Sequence, residues 1–242
     1  MKHLLDGWLI LVLALVFGSG LTAIQQTLGP IIEQNQKDKT YNRIPMLTLG
    51  EEAIEGLAIE PAGSAIKLTQ DGKTVDTLHV EETVQGSPVV AYRVYEGERL
   101  TGYVLEGSGS GYADKIVTLI GLSADLKTIT GVSVIKQMET PNLGSKIVGP
   151  WVGQYAGKAA SPPLEVVKNG SGSPDNNKID AISGATISSR CLTDIVNQTV
   201  ETFSTELPNL QWSGGTETAV ETATPTPNGD SSVPPPESVP AS

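Results

Sequence analysis

Apolar and polar positions fall into three patterns along this chain. The first is the unbroken run from Trp8 to Ile24, Trp-Leu-Ile-Leu-Val-Leu-Ala-Leu-Val-Phe followed by Gly18-Ser19-Gly20-Leu-Thr-Ala-Ile, with no charge in it. As a helix the run reaches about 25 Å, the short end of a bilayer span, and Leu4, Leu5 and Leu28 lengthen it. An uncleaved anchor is expected, with a short cytoplasmic N-terminus inside residues 1–28. The competing reading is a cleaved signal peptide, with Gly18 and Gly20 before the cut. The apolar core is long for a signal peptide, which favours the anchor. Lys2 lies before the run but Lys37, Lys39 and Arg43 follow it, so the positive-inside rule does not orient it.

The second pattern is a series of short β-prone runs. After a polar linker at 29–40 and helix-like residues around Glu51–Ile59 come Ser64–Leu68, then Thr74–Val80 beyond an Asp71-Gly72 turn, then Val89–Tyr95. Val90, Tyr92 and Val94 alternate with Ala91, Arg93 and Tyr95, the pattern of a strand with one buried face. Gly102–Gly107, Lys115–Leu122 and Ile129–Lys136 continue the series, the last two around an Asp125-centred turn. Val166–Lys178 reads as a surface loop.

The third pattern is one amphipathic helix. Ile187, Cys191, Ile195, Val196, Val200 and Phe203 recur at helical spacing, so Ser183-Gly184-Ala185-Thr186 falls at a helix N-terminus. Free backbone N–H groups and the positive dipole end favour a phosphate there. A plain N-cap at Ser183 or Ser188 is the simpler reading. Short strands closed by one clear helix give the α+β class. From Ser213 the sequence is Thr, Pro, Ser and Glu without Lys or Arg, a composition unable to bury enough apolar surface to order itself. These patterns divide the chain into 1–28, a linker at 29–40, a domain at 41–210 and a disordered tail at 211–242.

Composition narrows the chemistry. The net charge of -11 argues against a nucleic-acid partner. A single cysteine, Cys191, excludes an internal disulfide, and its place on the apolar stripe makes it a small buried hydrophobe. With only His3 and His79, there is little material for a metal site or a Ser-His-Asp triad, so no metal and no catalytic side chain is expected. A cofactor is left to carry the chemistry.

The stretch Asp180-Ala-Ile-Ser183-Gly184-Ala185-Thr186 has the form Asp-x-x-(Ser/Thr)-Gly-Ala-Thr. At ordinary residue frequencies it arises by chance in roughly one chain of this length in a couple of thousand. It resembles the acceptor motif of the covalent FMN-binding domain. Upstream, Glu139-Thr140-Pro141-Asn142-Leu143-Gly144-Ser145-Lys146 reads by itself as a tight turn after a strand. It too resembles that family, in its Glu-Thr-Pro-Gly-Leu-Gly loop, with Asn142 in place of a glycine; Asn tolerates positive φ best among the other residues. Gly102-Tyr103 and Ser108–Tyr112 correspond more loosely to a family glycine-tyrosine element. Trp151 and Tyr155 could be core aromatics or a wall beside a flavin ring.

The order of apolar run, Glu-Thr-Pro loop and threonine motif is similar to the G subunit of the Rnf electron-transport complex and to the related C subunit of the sodium-translocating NADH:quinone reductase. The resemblance implies a single transmembrane helix followed by an FMN-binding domain of short antiparallel strands packed with helices. It implies an electron-transfer subunit of a ferredoxin/NAD-type translocase, in the cytoplasmic membrane with the FMN domain outside. FMN would be esterified to Thr186 by a flavin transferase, and other membrane subunits would be its partners. By the same resemblance Ser183, Gly184, Ala185, Asp180, Glu139, Thr140, Leu143, Gly144 and Lys146 belong to the cofactor site. Lys146, Lys178 and Arg190 are candidate counter-charges for the phosphodiester. Two rivals carry other functions: a membrane-anchored flavin-binding regulatory protein, and a flavin-free exported binding protein whose loop only caps a helix.

Overall fold

The computed structural model describes residues 2–168, 170–173 and 175–213. The tail beyond Ser213 lies outside the described residues. The apolar run belongs to a 40-residue helix, α1 (Lys2–Tyr41), which continues without a break through the 29–40 linker. Among the described residues this is the one helix long and apolar enough to cross a membrane. The protein leaves its apolar side chains uncovered: Leu15 and Phe17 are 74% and 70% exposed.

A short helix, α2 (Ile44–Leu49), follows and buries Ile44, Pro45 and Leu47. The residue pattern predicts helix around Glu51–Ile59, but that segment is a single 3-10 turn at Glu52–Ile54, and strand begins at Ala58. Gly50 and Gly56, at φ +90° and +77°, bracket the turn and stop any helix from propagating.

Seven strands then form an antiparallel meander: β1 (Ala58–Ala62), β2 (Ala65–Gln70), β3 (Lys73–Thr83), β4 (Val90–Glu96), β5 (Arg99–Ser110), β6 (Lys115–Ser123) and β7 (Thr128–Lys136). The Asp71-Gly72 turn joins β2 to β3 with both residues at positive φ, the form that matches strand twist in a two-residue hairpin. At the Asp125 turn the carboxylate accepts from Ser123 Oγ at 2.6 Å and from the Lys127 amide at 3.1 Å. The two-residue β8 (Lys158–Ala159) covers only the start of β7, at Thr128 and Ile129. The expected loop at 166–178 is bracketed by a parallel pair, β9 (Glu165–Val167) and β10 (Lys178–Asp180). The long helix α3 (Thr186–Glu206) comes next. Finally β11 (Trp212–Ser213) pairs with the end of β3. Trp212 lies under the Arg93 guanidinium, 4.0 Å from ring centroid to Cζ, so the chain stays in the fold through Ser213.

The sheet is covered on both faces, whereas the alternation along β4 predicts one buried face. Ala91, Leu105, Ile116, Ile120 and Leu122 face α3, meeting Leu192, Val196, Val200 and Phe203. Tyr92, Val94, Val104 and Leu119 face the other way, under Tyr41, Ile44 and Leu47. Alternation along β4 therefore separates two cores, because α2 and the end of α1 cover the second face. Apolar burial on two faces is what stabilises a meander of this kind.

Candidate functional site

Helix α3 starts at Thr186 with Ala185 as its N-cap, and no side chain caps it. Neither Ser183 nor Ser188 plays that part. Ser188 Oγ donates to Glu139, while Ser189 Oγ donates to the Ala185 carbonyl at 3.0 Å and accepts from the Ile182 amide at 3.0 Å. Among the described residues the amides of Thr186, Ile187 and Ser188 have no partner, and in the first turn only the Thr186 hydroxyl has none. Thr186 is half-buried and Ala185 buried, behind an exposed Ser183-Gly184 turn. Three orphan donors and one free hydroxyl thus share one helix end, the arrangement that receives a phosphate oxygen.

The 139–146 loop meets this end. Asn142 adopts φ +60°, the left-handed conformation its position required. Its amide donates to Ser145 Oγ at 3.0 Å, and the Leu143 and Ser145 amides return to the Thr140 carbonyl. A 3-10 turn, Gly144–Ile147, follows. These bonds hold Leu143 on an exposed corner, 43% accessible, against Gly184. A Cβ at Gly184, whose φ is +78°, would stand 3.2 Å from Leu143 Cδ2. The two motifs are therefore in contact.

Glu139 is the hub beneath them. Its side chain is 4% exposed. One carboxylate oxygen accepts the Ser188 hydroxyl at 2.5 Å and the other the Ala113 amide at 3.0 Å. Gly144 and Gly111 make room for it: a Cβ at Gly144 would lie 2.7 Å from one oxygen, and a Cβ at Gly111 closer still to the other. Three segments converge on one buried carboxylate: the β5–β6 hairpin tip, the loop after β7 and the first turn of α3. Nearby Cys191 is half-buried at the edge of the core, less deeply than its place on the stripe predicts. Burial pushes its thiol up, with the Asp194 and Glu139 charges adding, which disfavours the thiolate.

Asp180 is held chiefly through its backbone. Its carbonyl accepts Trp151 Nε1–H at 2.7 Å, and its amide donates to Gln154 Oε1 at 2.9 Å. Its carboxylate accepts the Gly172 amide at 3.1 Å. Trp151 is thus a brace behind Asp180. Tyr155 is a core residue, fully buried, with its hydroxyl 2.7 Å from Thr193 Oγ1. Sequence reasoning missed Lys158, which is 2% exposed and donates to the carbonyls of Ser173 and Asn176. Burial pulls its ammonium down, opposed by the Asp180 and Asp175 carboxylates. A buried lysine thereby organises the loop that leads into β10. A lone lysine at the head of a two-residue strand gave no sequence signal.

Of the expected counter-charges, Lys146 and Arg190 are exposed and Lys178 is half-buried; none is ion-paired among the described residues. Ile187, placed on the buried stripe by spacing, is 55% exposed and flanks Thr186 instead. Tyr112, Met138 and Val148 add further exposed apolar surface at positions flanking the hairpin and loop. Orphan amides, a free hydroxyl and an apolar rim together fit a phosphate-bearing group with a flat aromatic ring. No group of three His, Cys, Asp or Glu among the described residues is placed to hold a metal ion.

Residues 111–201, from the hairpin tip through most of the site helix, match the FMN-binding domain family. Over 179 residues the chain is 35% identical to the G subunit of the Na(+)-translocating ferredoxin:NAD(+) oxidoreductase complex of Acetobacterium woodii, covering 73% of this chain and 79% of that protein. It is 38% identical over 128 residues to the G subunit of the ion-translocating oxidoreductase complex of Methanosarcina acetivorans, covering 50% of this chain and 62% of that one. Over 138 residues it is 30% identical to the C subunit of the Na(+)-translocating NADH-quinone reductase of Vibrio vulnificus, covering 54% and 52%. The similarity to the first of these takes in most of both proteins, and the chain belongs to the family of G subunits of the ion-translocating Rnf-type oxidoreductase complexes.

Proposed function

We propose that this protein is the FMN-carrying electron-transfer subunit of a membrane complex that couples ferredoxin/NAD-type redox chemistry to ion translocation, and that FMN is joined through its phosphate to Oγ1 of Thr186. The observation that carries the attachment point is the first turn of α3: three unpartnered amides and one unpartnered hydroxyl at a half-buried residue. FMN, when bound, supplies transfer of one or two electrons. The chain does the rest. The Thr186, Ile187 and Ser188 amides would hold the phosphate oxygens, and an ester at Thr186 would fix the cofactor's effective concentration where a free flavin would be lost by dilution. Leu143 and Gly184 offer an apolar seat beside the attachment point, and Glu139 keeps the loop carrying Leu143 in register with α3. Asp180, braced by Trp151 and Gln154, is assigned to recognition by the flavin transferase that loads Thr186.

In this reading residues 1–28 anchor the protein in the cytoplasmic membrane, 29–40 form a stem, and the domain from residue 41 lies on the extracytoplasmic side among the other membrane subunits. Coexpression with a flavin transferase tests the attachment. Flavin fluorescence is expected to travel with the protein on a denaturing gel, to survive in Thr186→Ser and to vanish in Thr186→Ala. A fluorescent Thr186→Ala band would overturn the assignment. The runner-up is the C subunit of a sodium-translocating NADH:quinone reductase, supported by the shorter match to that protein. Purification with the native partner subunits separates the two, by whether reduced ferredoxin or NADH delivers electrons to the flavin.

A further inference from the structure

Where α1 meets the sheet, a cavity of about 420 Å³ opens between Lys39, Asn42 and Arg43 on one side and Val134 and Ile135 of β7 on the other. Lys39 and Arg43 are exposed, and neither has a carboxylate within ion-pair distance among the described residues. In a chain of net charge -11, Lys37, Lys39 and Arg43 gather within seven residues of one helix end. Lys37 is engaged with Glu82 at 3.8 Å, leaving the other two free. A cation in the last turn complements the helix dipole, which accounts for Lys39. It does not account for Arg43, which stands beyond the helix end and opens α2.

The opposite wall also departs from the rest of the sheet. Strand β8 pairs with β7 only at Thr128 and Ile129, so from Val134 onward no strand among the described residues covers the outer edge of β7. Such an edge presents backbone N–H and C=O groups that need partners. Val134 packs against the α3 core and Ile135 against the α2 core, so both are half-buried and line the cavity beside the open backbone of the edge. Two unpaired cations beside half-buried aliphatic side chains suit a ligand with an anionic head and a hydrocarbon body.

We propose that this cavity seats the phosphodiester of an anionic phospholipid from the membrane that α1 enters. The inference rests on the reading of α1 as a membrane anchor. Apolar positions in α1 continue to Ile31-Ile32. From the anchor's end at Leu28, Lys39 lies roughly 16 Å further along the helix, a gap that Ile31-Ile32, the interfacial layer and a snorkelling side chain bridge together. Anionic lipid explains why both cations face the edge of β7 while the acidic residues of the domain leave them unpaired. It also supplies the occupant, since any chain in that membrane meets lipid at high local concentration.

The test uses the full-length protein in neutral detergent, titrated separately with phosphatidylglycerol, phosphatidylcholine and inorganic phosphate and read by native mass spectrometry. A one-to-one phosphatidylglycerol adduct favoured over phosphatidylcholine is expected. Lys39→Gln and Arg43→Gln should each weaken it about fivefold. Lys67→Gln, an exposed cation on β2, should leave it unchanged. Equal retention of the two lipids, or an adduct undiminished in the double variant, overturns the proposal. Displacement of the lipid by millimolar inorganic phosphate overturns the lipid source. Melting curves show whether the glutamine variants remain folded, as exposed positions predict. Release of the protein from membranes by alkaline extraction would instead count against the anchor, a result separable from the adduct pattern.

Discussion

Ser188 donates its hydroxyl to the buried carboxylate of Glu139 at 2.5 Å, tying the first turn of α3 to a loop 49 positions earlier in the chain. The other carboxylate oxygen takes the Ala113 amide, so one side chain satisfies two segments at once. Glu139→Ala leaves the buried Ser188 hydroxyl without an acceptor while the exposed Ala113 amide turns to water, and is expected to cost about 1–3 kcal/mol. Ser188→Ala removes a single charge-assisted bond and should cost about 1–2 kcal/mol. Chemical denaturation of the single and double variants measures the coupling, expected to exceed about 1 kcal/mol. Additive losses would show that the bond contributes nothing.

Leu143→Ala is expected to leave flavin attachment intact while shifting the flavin's midpoint potential, because it strips the apolar contact beside Gly184 and admits water. If the loop only ends a strand, thermal stability falls and the potential stays put. Redox titration of the two flavinylated proteins distinguishes these outcomes.

Gly184→Ala should be worse tolerated than its exposure suggests. The residue sits at φ +78°, and the added methyl meets Leu143 Cδ2 at 3.2 Å. A loss of about 1–2 kcal/mol in stability is expected. Slower flavin loading, followed by in-gel fluorescence against time, should accompany it.

Lys158→Met removes the ammonium that gathers the Ser173 and Asn176 carbonyls. The apolar stem remains, so the core keeps its packing while the loop loses its centre. About 2–3 kcal/mol of destabilisation is expected, from charge-assisted bonds lost at a buried site. Hydrogen exchange should rise first in the amides of 170–173 and 175–178.

Glu106 supplies a pH dependence. Burial raises its pKa above the ordinary carboxylate value, with Lys115 opposing and Glu82 adding to the shift. The folded state therefore binds this proton more tightly than the unfolded chain, and the group's contribution to stability is lost as pH rises through its folded pKa. Glu106→Gln is expected to raise the melting temperature at pH 7–8. The advantage should disappear below about pH 4, where the carboxyl is protonated in both states.

Much of this arrangement is legible in the sequence because it depends on local rules. The Asp71-Gly72 hairpin and the left-handed Asn142 follow from residues that tolerate positive φ, and the Asp125 turn from a carboxylate that accepts from Ser123 and the Lys127 amide. The start of α3 at Thr186 follows from the spacing of Ile195, Val196, Val200 and Phe203 behind a glycine turn. What escapes depends on contacts between distant segments. No window around Glu139 contains Ser188 or Ala113, and none around Asp180 contains Trp151. The second core on the α2 face is hidden for the same reason: strand alternation looks identical whether the second face meets water or another layer. The helix expected at Glu51–Ile59 fails because Gly50 and Gly56 terminate it on either side.

The continuity of α1 into the domain has a mechanical consequence. Its last residues are already part of the packing: Thr40 and Tyr41 are buried, and Tyr41 meets Tyr92 edge-to-face at 6.1 Å. The helix and the sheet therefore turn together like a bolt and its head. One residue inserted between Glu33 and Asp38 would rotate Thr186 by about 100° around the helix axis and raise it by about 1.5 Å. Four inserted residues would bring it back to within about 40° of its bearing at a height about 6 Å greater. Electron delivery to a partner that stays fixed should fall and recover with that helical period, whereas a slack tether would tolerate every insertion alike.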